Sequence, residues 1–347
     1  MLQIKVGMGF LWSLVIFKTN LWGYKKMKKI LALFFVFALL LTFGQTVMAE
    51  TITLKLAENQ PADNPVTKAD IRFAELVEEK TNGEVVIDVH YGATLGQEAE
   101  TISMARIGVF AMARVNAVPL SEVVSEVGVF NLPFIFSNYE HLWNVLESDV
   151  GTEINSKLED VGLVGLTWFE SGFRSFYTTE PVAELSDLEG MNIRVQEAEL
   201  PMKMVELLGA NPTPMPYGDV YSGLQTGVID GAENDYVSYY TSSHYEVAPY
   251  YAVDNHIHPP AIIIMNKAKL ESLSKEHQQA IMEAAEEAKE FEKQEMRAFQ
   301  NESKAKVLEA GIEITEVDTS EFQEAVMPLY EEYPELQDYI DRIIELQ

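Results

Sequence analysis

The chain has 347 residues, enough for two domains, and its 47% of hydrophobic residues can fill sizeable cores. It has no cysteine, which excludes disulfides, thiolate chemistry, zinc–thiolate sites and lipid attachment through an N-terminal cysteine. The formal charge of −29 repels nucleic acid, anionic membranes and anionic ligands at long range, so any bound anion has to be held by short-range, desolvated arginines.

The N-terminus reads as an export leader. Lys25, Lys26, Lys28 and Lys29 form a basic segment, residues 30–43 an apolar run, and Val47-Met48-Ala49 a cleavage site of small residues, with cleavage expected after Ala49. The apolar run is too short for a comfortable membrane-spanning helix. The product is therefore expected to be soluble and extracytoplasmic or periplasmic. Residues 1–24 lie upstream of a complete leader, which points to Met27 as the start of translation. The first 49 residues hold six lysines and no acidic residue, so the remainder is more acidic still.

Residues 51–56 alternate as a strand, and Asn59-Gln60-Pro61 opens a polar loop. Residues 66–81 have helical spacing, with Ile71, Phe73, Leu76 and Val77 on one side and Asn82-Gly83 as the stop. A strand at 84–91, a loop and helix at 95–108 and a strand at 109–118 follow. This β-α-β-α-β order predicts a mostly parallel sheet with helices on both faces. A second set begins near Gly162, with two strands interrupted at Glu170-Ser171-Gly172. Then come the strand "MNIRV", a helix to Leu208, a further helix at 217–226 and "VIDGAEN". After His256-Ile257-His258-Pro259-Pro260, "AIIIMN" is apolar enough to be a buried strand that returns to the first set. Residues 274–310 read as one helix closed by Gly311, about 50 Å long at ~1.5 Å per residue, enough to cross two lobes.

The chemistry concentrates in residues 188–234. Arg194 stands inside an apolar strand among Met191, Ile193 and Val195, where a strand ends and a crevice should begin. A guanidinium there offers a planar fork to a carboxylate. The bland alternative is an internal salt bridge to Glu197 or Glu199. Arg174, between Phe173 and Phe176, is either a second cation in a partly dry setting or a surface arginine.

The run "GMNIRVQ…GANPTPMPYGDVYSGLQTGVIDGAEN" closely resembles the signature of the extracytoplasmic solute-binding proteins of TRAP transporters, the DctP family. "YGATLGQEAETISMARIG", "VGVFNLPFIFSNYEH" and "ESGFRSFYTT" extend the resemblance over nearly all of residues 51–335. The resemblance implies a two-lobed α/β fold like that of periplasmic binding proteins, with a hinge and a long lobe-spanning helix. Lobe 1 would comprise residues 50–171 and 260–299, and lobe 2 residues 172–259 and 300–347. It also implies an organic acid enclosed between the lobes and handed, without chemistry, to TRAP membrane permease subunits by a protein expected to be monomeric. No cofactor, metal or catalytic residue is expected.

By the same resemblance Arg194 clamps the ligand carboxylate, Arg174 is the second arginine, Asn234 donates to carboxylate or hydroxyl, and Tyr217 packs on the ligand's apolar face. Core packing is nearly as good an account of Tyr217, and turn formation beside Gly231 an alternative for Asn234. The facing lobe would supply Asn59, Glu98 and Asn116, all where strands or loops open into the crevice. Arg114 shares a strand face with Asn116 and is either a third cation of the pocket or a satisfied core arginine. His256 matches a polar position near the hinge; with His258 it could suggest a metal, but a lone H-x-H is more often structural. Tyr236, Tyr239 and Tyr240 beside Asn234 suit stacking on a sugar ring. "RVQEAEL" and "GAENDYVSYY" resemble the branch of the family that takes hexuronates, such as glucuronate or galacturonate. Glu98 would repel a second ligand carboxylate, which also favours a monocarboxylic polyol. A C4-dicarboxylate or another sugar acid is the alternative within the family. Outside it, Glu98 and Glu170 could cleave a glycoside, although no nucleophile elbow, phosphate loop or metal-ligand cluster accompanies them. A structural or adhesion module would show repeats and would not need Arg194 in a strand.

Overall fold

A computed structural model describes residues 26–29 and 51–347. The expectations for the apolar run, the cleavage site and residues 1–25 lie outside the described residues.

The chain from Thr51 onward builds two sheets. The first takes β1 (Ile52–Ala57), β2 (Val85–His90), β3 (Met112–Asn116), β4 (Leu163–Phe169) and β10 (Ala261–Asn266) in the order β2-β1-β3-β10-β4. The second takes β5 (Arg174–Thr178), β6 (Asn192–Val195), β7 (Asn211–Pro214), β8 (Gly231–Asn234), β9 (Tyr250–Ile257) and β11 (Glu313–Glu316) in the order β11-β9-β5-β8-β6-β7. β1 runs parallel to β2 and β3, as the alternation of strands and helices requires. β10 runs antiparallel to β3 and β4, so the first sheet is mostly parallel, with four strands in one direction and β10 reversed. The cause is the route of the chain: β10 arrives straight from β9 through residues 258–260, with no helical crossover to turn it round.

A long passage from β10 to β11, through the helix Lys275–Glu309, joins the sheets, and so do two short chain crossings, at residues 170–173 and 258–260, which lie side by side. Phe173 of one and His258 of the other have ring centroids 4.2 Å apart, and Tyr139 meets both edge-on. The helix Lys275–Glu309 spans this region. It packs on the helix Pro65–Lys80 and on β4 of the first sheet and on the helix Tyr236–Thr241 beside the second. Glu292 of this helix accepts the backbone N–H of Glu170 (3.1 Å), and Gln300 donates to Asp235 (2.8 Å). The terminal helix Gln337–Glu345 packs against Asp149–Lys157, with the His141 ring bonded to the Ile343 carbonyl (2.9 Å).

Local chemistry fixes these elements. Asn64 caps the helix Pro65–Lys80 by accepting from Val66 N–H (3.0 Å), and Pro65 occupies the first turn, where no amide donor is needed. Phe73, Leu76 and Val77 of that helix are buried against Leu56, Ile263 and Ile281, while Ile71 is only half-buried and Asp70 faces inward instead.

Candidate functional site

The ends of both sheets converge on one polar cavity. Asn59, Glu98, Arg114 and Asn116 reach it from the first sheet; Arg174, Arg194, Tyr217 and Asn234 reach it from the second; Ser171 reaches it from a crossing. Of the eight residues that the resemblance carried into the site, His256 alone does not line it.

Arg194 sits next to last in β6, 3% exposed. Its Nε–H donates to the Met215 carbonyl (2.9 Å), and its guanidinium carbon lies 5.9 Å from the centre of the Tyr217 ring. Among the described residues no carboxylate pairs with it: Glu199 instead bonds Lys203 (2.8 Å), and Glu197 is exposed and lines a neighbouring pocket. Burial pulls its pKa down from the ordinary arginine value, Glu233 opposes that and Arg174 adds to it. The internal salt bridge weighed above does not form.

Arg174 is differently placed. It begins β5 and binds both carboxylate oxygens of Glu233, the Glu233 carbonyl (2.7 Å) and the side-chain oxygen of Asn234 (2.7 Å). It is therefore neither a surface arginine nor a free fork. His256, on β9, stands behind this pair: its Nε2 is 3.7 Å from Glu233, its Nδ1 bonds Asp254 (2.8 Å), and its ring stacks on Phe176. Burial disfavours the charge on His256, but Asp254 and Glu233 overcome it and raise its pKa to about 9. Burial alone would raise Glu233; Arg174 and His256 pull it down to about 2.

Asn234 spends its oxygen on Arg174 and on its neighbour's N–H (3.0 Å), which leaves its amide N–H donors for a ligand. Tyr217 has its hydroxyl bonded within the second half, to Ser242 (2.7 Å) and the Ser238 carbonyl (3.2 Å), and so lends the cavity its ring.

On the first-sheet side Arg114 is both things the sequence allowed. It lines the cavity, yet Glu58 takes its fork on both oxygens and Asn59 accepts from Nη2 (3.0 Å). Glu98 accepts the Asn116 backbone N–H (2.8 Å) and lies 3.6 Å from Arg114. Burial raises its pKa, against the pull of Arg114. Asn116 caps the following turn through its oxygen (to Val118 N–H, 3.1 Å) and donates to Ser171 (3.3 Å).

Two expectations are corrected. Tyr236, Tyr239 and Tyr240 do not line the cavity. Tyr239 is fully buried with its hydroxyl on the Ala248 carbonyl (2.6 Å), and Tyr236 stacks on Tyr251 (4.3 Å), so the cluster is core under the second sheet. Glu170 does not face Glu98 across the cavity either: it is buried with its carboxylate on Trp143 Nε1 and Arg297. Among the described residues no group of three or more His, Cys, Asp or Glu is arranged to hold a metal. Of the residues not foreseen, Gln196 was within reach, because it follows Arg194 by two along the strand and so shares its face. Glu58 and Glu233, which commit the other two arginines, were not.

Residues 56–336 match the family model described as bacterial extracellular solute-binding protein, family 7 (DctP). A solute-binding protein of Chromohalobacter salexigens is 40% identical over 297 residues, 83% of this chain and 87% of that protein. A TRAP periplasmic solute-binding protein from Xanthobacter autotrophicus Py2, solved with bound β-D-galacturonate, superposes with a TM-score of 0.83 at 38% identity, over 85% of this chain and 100% of that one. One from Chromohalobacter salexigens, solved with bound D-glucuronate, gives 0.83 at 39% identity, over 85% and 100%.

Proposed function

Because this chain belongs to family 7 of the bacterial extracellular solute-binding proteins, the DctP family, we propose that it captures a hexuronate such as D-glucuronate or D-galacturonate and presents it to a TRAP membrane permease. One observation carries the choice of ligand. Three guanidiniums line the cavity; Arg114 and Arg174 are each held by a protein carboxylate, and Arg194, among the described residues, is not. A buried cation without a counterion is costly, so the cavity is built for a single carboxylate. The rest of the lining, Asn59, Glu98, Asn116 and Asn234, offers donors and acceptors suited to hydroxyls, and the Tyr217 ring offers an apolar face. Glu98 opposes a second carboxylate at the far end of the ligand.

In this reading each lobe supplies half of the contacts, so the ligand favours the shut form by binding it preferentially. The protein acts after export and removal of its leader. Titration calorimetry of glucuronate, galacturonate and succinate tests the reading. Micromolar or tighter binding of a uronate, about −8 kcal/mol or better, is expected, with succinate at least a hundredfold weaker. Succinate binding as tightly as either uronate would overturn it.

A further inference from the structure

Behind the Asn59–Glu98 wall lies a layer of charge that no ligand reaches. Glu58 follows β1 and is 2% exposed; Asp70, on the helix Pro65–Lys80, has no exposed surface. Glu58 takes one N–H of Arg114 on each oxygen, and Oε1 also accepts the Gln60 backbone N–H (2.6 Å). Asp70 faces the Glu58 carboxyl. Among the described residues no protein donor reaches either of its oxygens. The charged groups around it are Glu58 from the end of β1, Arg114 from β3 and Glu292 from the long helix. Arg114 is the one cation among them, and it is already divided between Glu58, Asn59 and Glu98.

Two carboxyls side by side in a buried site cannot both ionise. Both oxygens of Glu58 already accept N–H donors, so the proton that the pair must keep belongs to Asp70. We propose that Asp70 is a positioning residue for the hydroxyl-reading half of the cavity: protonated, it donates its O–H to Glu58, which keeps Glu58 on Arg114 and so fixes Asn59 and Glu98 where the sugar meets them. The geometry agrees with the direction of its titration, since burial first and Glu58 second push its pKa well above the ordinary carboxyl range. Once ionised, Asp70 would set a second buried anion against Glu58 and draw the Arg114 guanidinium toward itself. Asn59 and Glu98 would then lose the partner that orients them.

The inference rests on the uronate reading given above, and the test separates the two. Calorimetric titration of wild type and Asp70→Asn with D-glucuronate and D-galacturonate is run from pH 6 to pH 10. The asparagine keeps a donor toward Glu58 and does not titrate. Wild type is expected to weaken at least tenfold across the pH at which the carboxyl carbon resonance of Asp70 shows ionisation, and Asp70→Asn at least fivefold less over the same interval; titration of His256 is common to both proteins and cancels in the comparison. Parallel profiles overturn the assignment. The carboxyl carbon resonance of Asp70 in carbon-13-labelled wild type gives a reading that needs no variant: a protonated acid at pH 7 is expected, and a carboxylate at pH 7 overturns it. Failure of wild type to bind either uronate would count against the proposed function, while the carbon resonance would still decide the state of Asp70.

Discussion

Arg194 gives up its hydration on burial and regains, among the described residues, a single neutral hydrogen bond, to the Met215 carbonyl. The ligand carboxylate supplies the rest. Removing one partner of a buried, hydrogen-bonded charge pair costs about 2–5 kcal/mol, so Arg194→Ala should weaken uronate binding by roughly 30-fold to several thousandfold. Arg194→Lys should not restore it, because an ammonium cannot present two parallel donors. Calorimetry decides, and near-wild-type affinity in the lysine variant would contradict the fork. Arg194 was legible because a charge inside an apolar strand calls for an explanation. The commitment of Arg174 was not: it arises where Ser175 pairs with Asn234 and Phe176 with Glu233, a register that brings together residues 59 apart in the chain. The acid, histidine and arginine assembled there make stability depend on pH. His256, raised from 6.5 to about 9, contributes stability that is complete below pH 6.5 and lost as pH rises through 9. Glu233, lowered from 4.5 to about 2, contributes stability present above pH 4.5 and lost as pH falls through 2. The network therefore helps most between those ranges. The melting-temperature difference between wild type and His256→Gln should shrink as pH rises from 6.5 to 9; a constant difference would show that the imidazole's charge is not what Glu233 and Asp254 hold.

At the scale of elements, the residues Glu170-Ser171-Gly172 were readable by themselves only as a break between two strands; the passage from one lobe to the other at residues 171 and 172 came from the resemblance. Strand propensity says where backbone is extended and nothing about which sheet it joins. For the same reason the antiparallel β10 could not be foreseen: its partners Asn116 and Phe169 are set by the route through the second sheet, not by its own residues. Gly172 is the residue on which this passage turns. Its φ is +75°, and a Cβ there would lie 2.0 Å from Gln300 Nε2 and 2.7 Å from Asp235 Cβ, the two residues whose hydrogen bond ties the long helix to the second sheet's flank. Gly162 also has a left-handed φ, +82°, but a Cβ there meets nothing within 4 Å. Gly162→Ala should therefore cost only the backbone penalty of about 1–2 kcal/mol, and Gly172→Ala distinctly more. Urea unfolding of the two variants measures this, and equal losses would mean that the crossing yields without strain.

For the whole molecule, the order of elements alone specified α/β architecture; the expectation of two lobes came from the resemblance, and the superposition on uronate-bound relatives bears it out. Two short crossings and the long helix, which packs on the first sheet and on the helix Tyr236–Thr241 beside the second, join the halves next to the cavity, and the C-terminal segment joins them again where its last helix meets Asp149–Lys157. A joint of this kind resists sliding but permits rotation, as hinged domain pairs do. The cavity's cations are split across it, with Arg114 on one side and Arg174 and Arg194 on the other. Without ligand, the free guanidinium of Arg194 gains by opening to water, so the unliganded protein should populate an open form. A uronate reverses the preference by as much as its affinities for the two forms differ. Small-angle X-ray scattering should then show the radius of gyration of wild type falling when D-glucuronate is added. Arg194→Ala at the same ligand concentration should show no fall, and at a ligand concentration high enough to fill its weakened site it should show the wild-type change. If wild type binds the uronate with no change in radius, the lobes are already shut in solution and the unpaired guanidinium does not drive the opening.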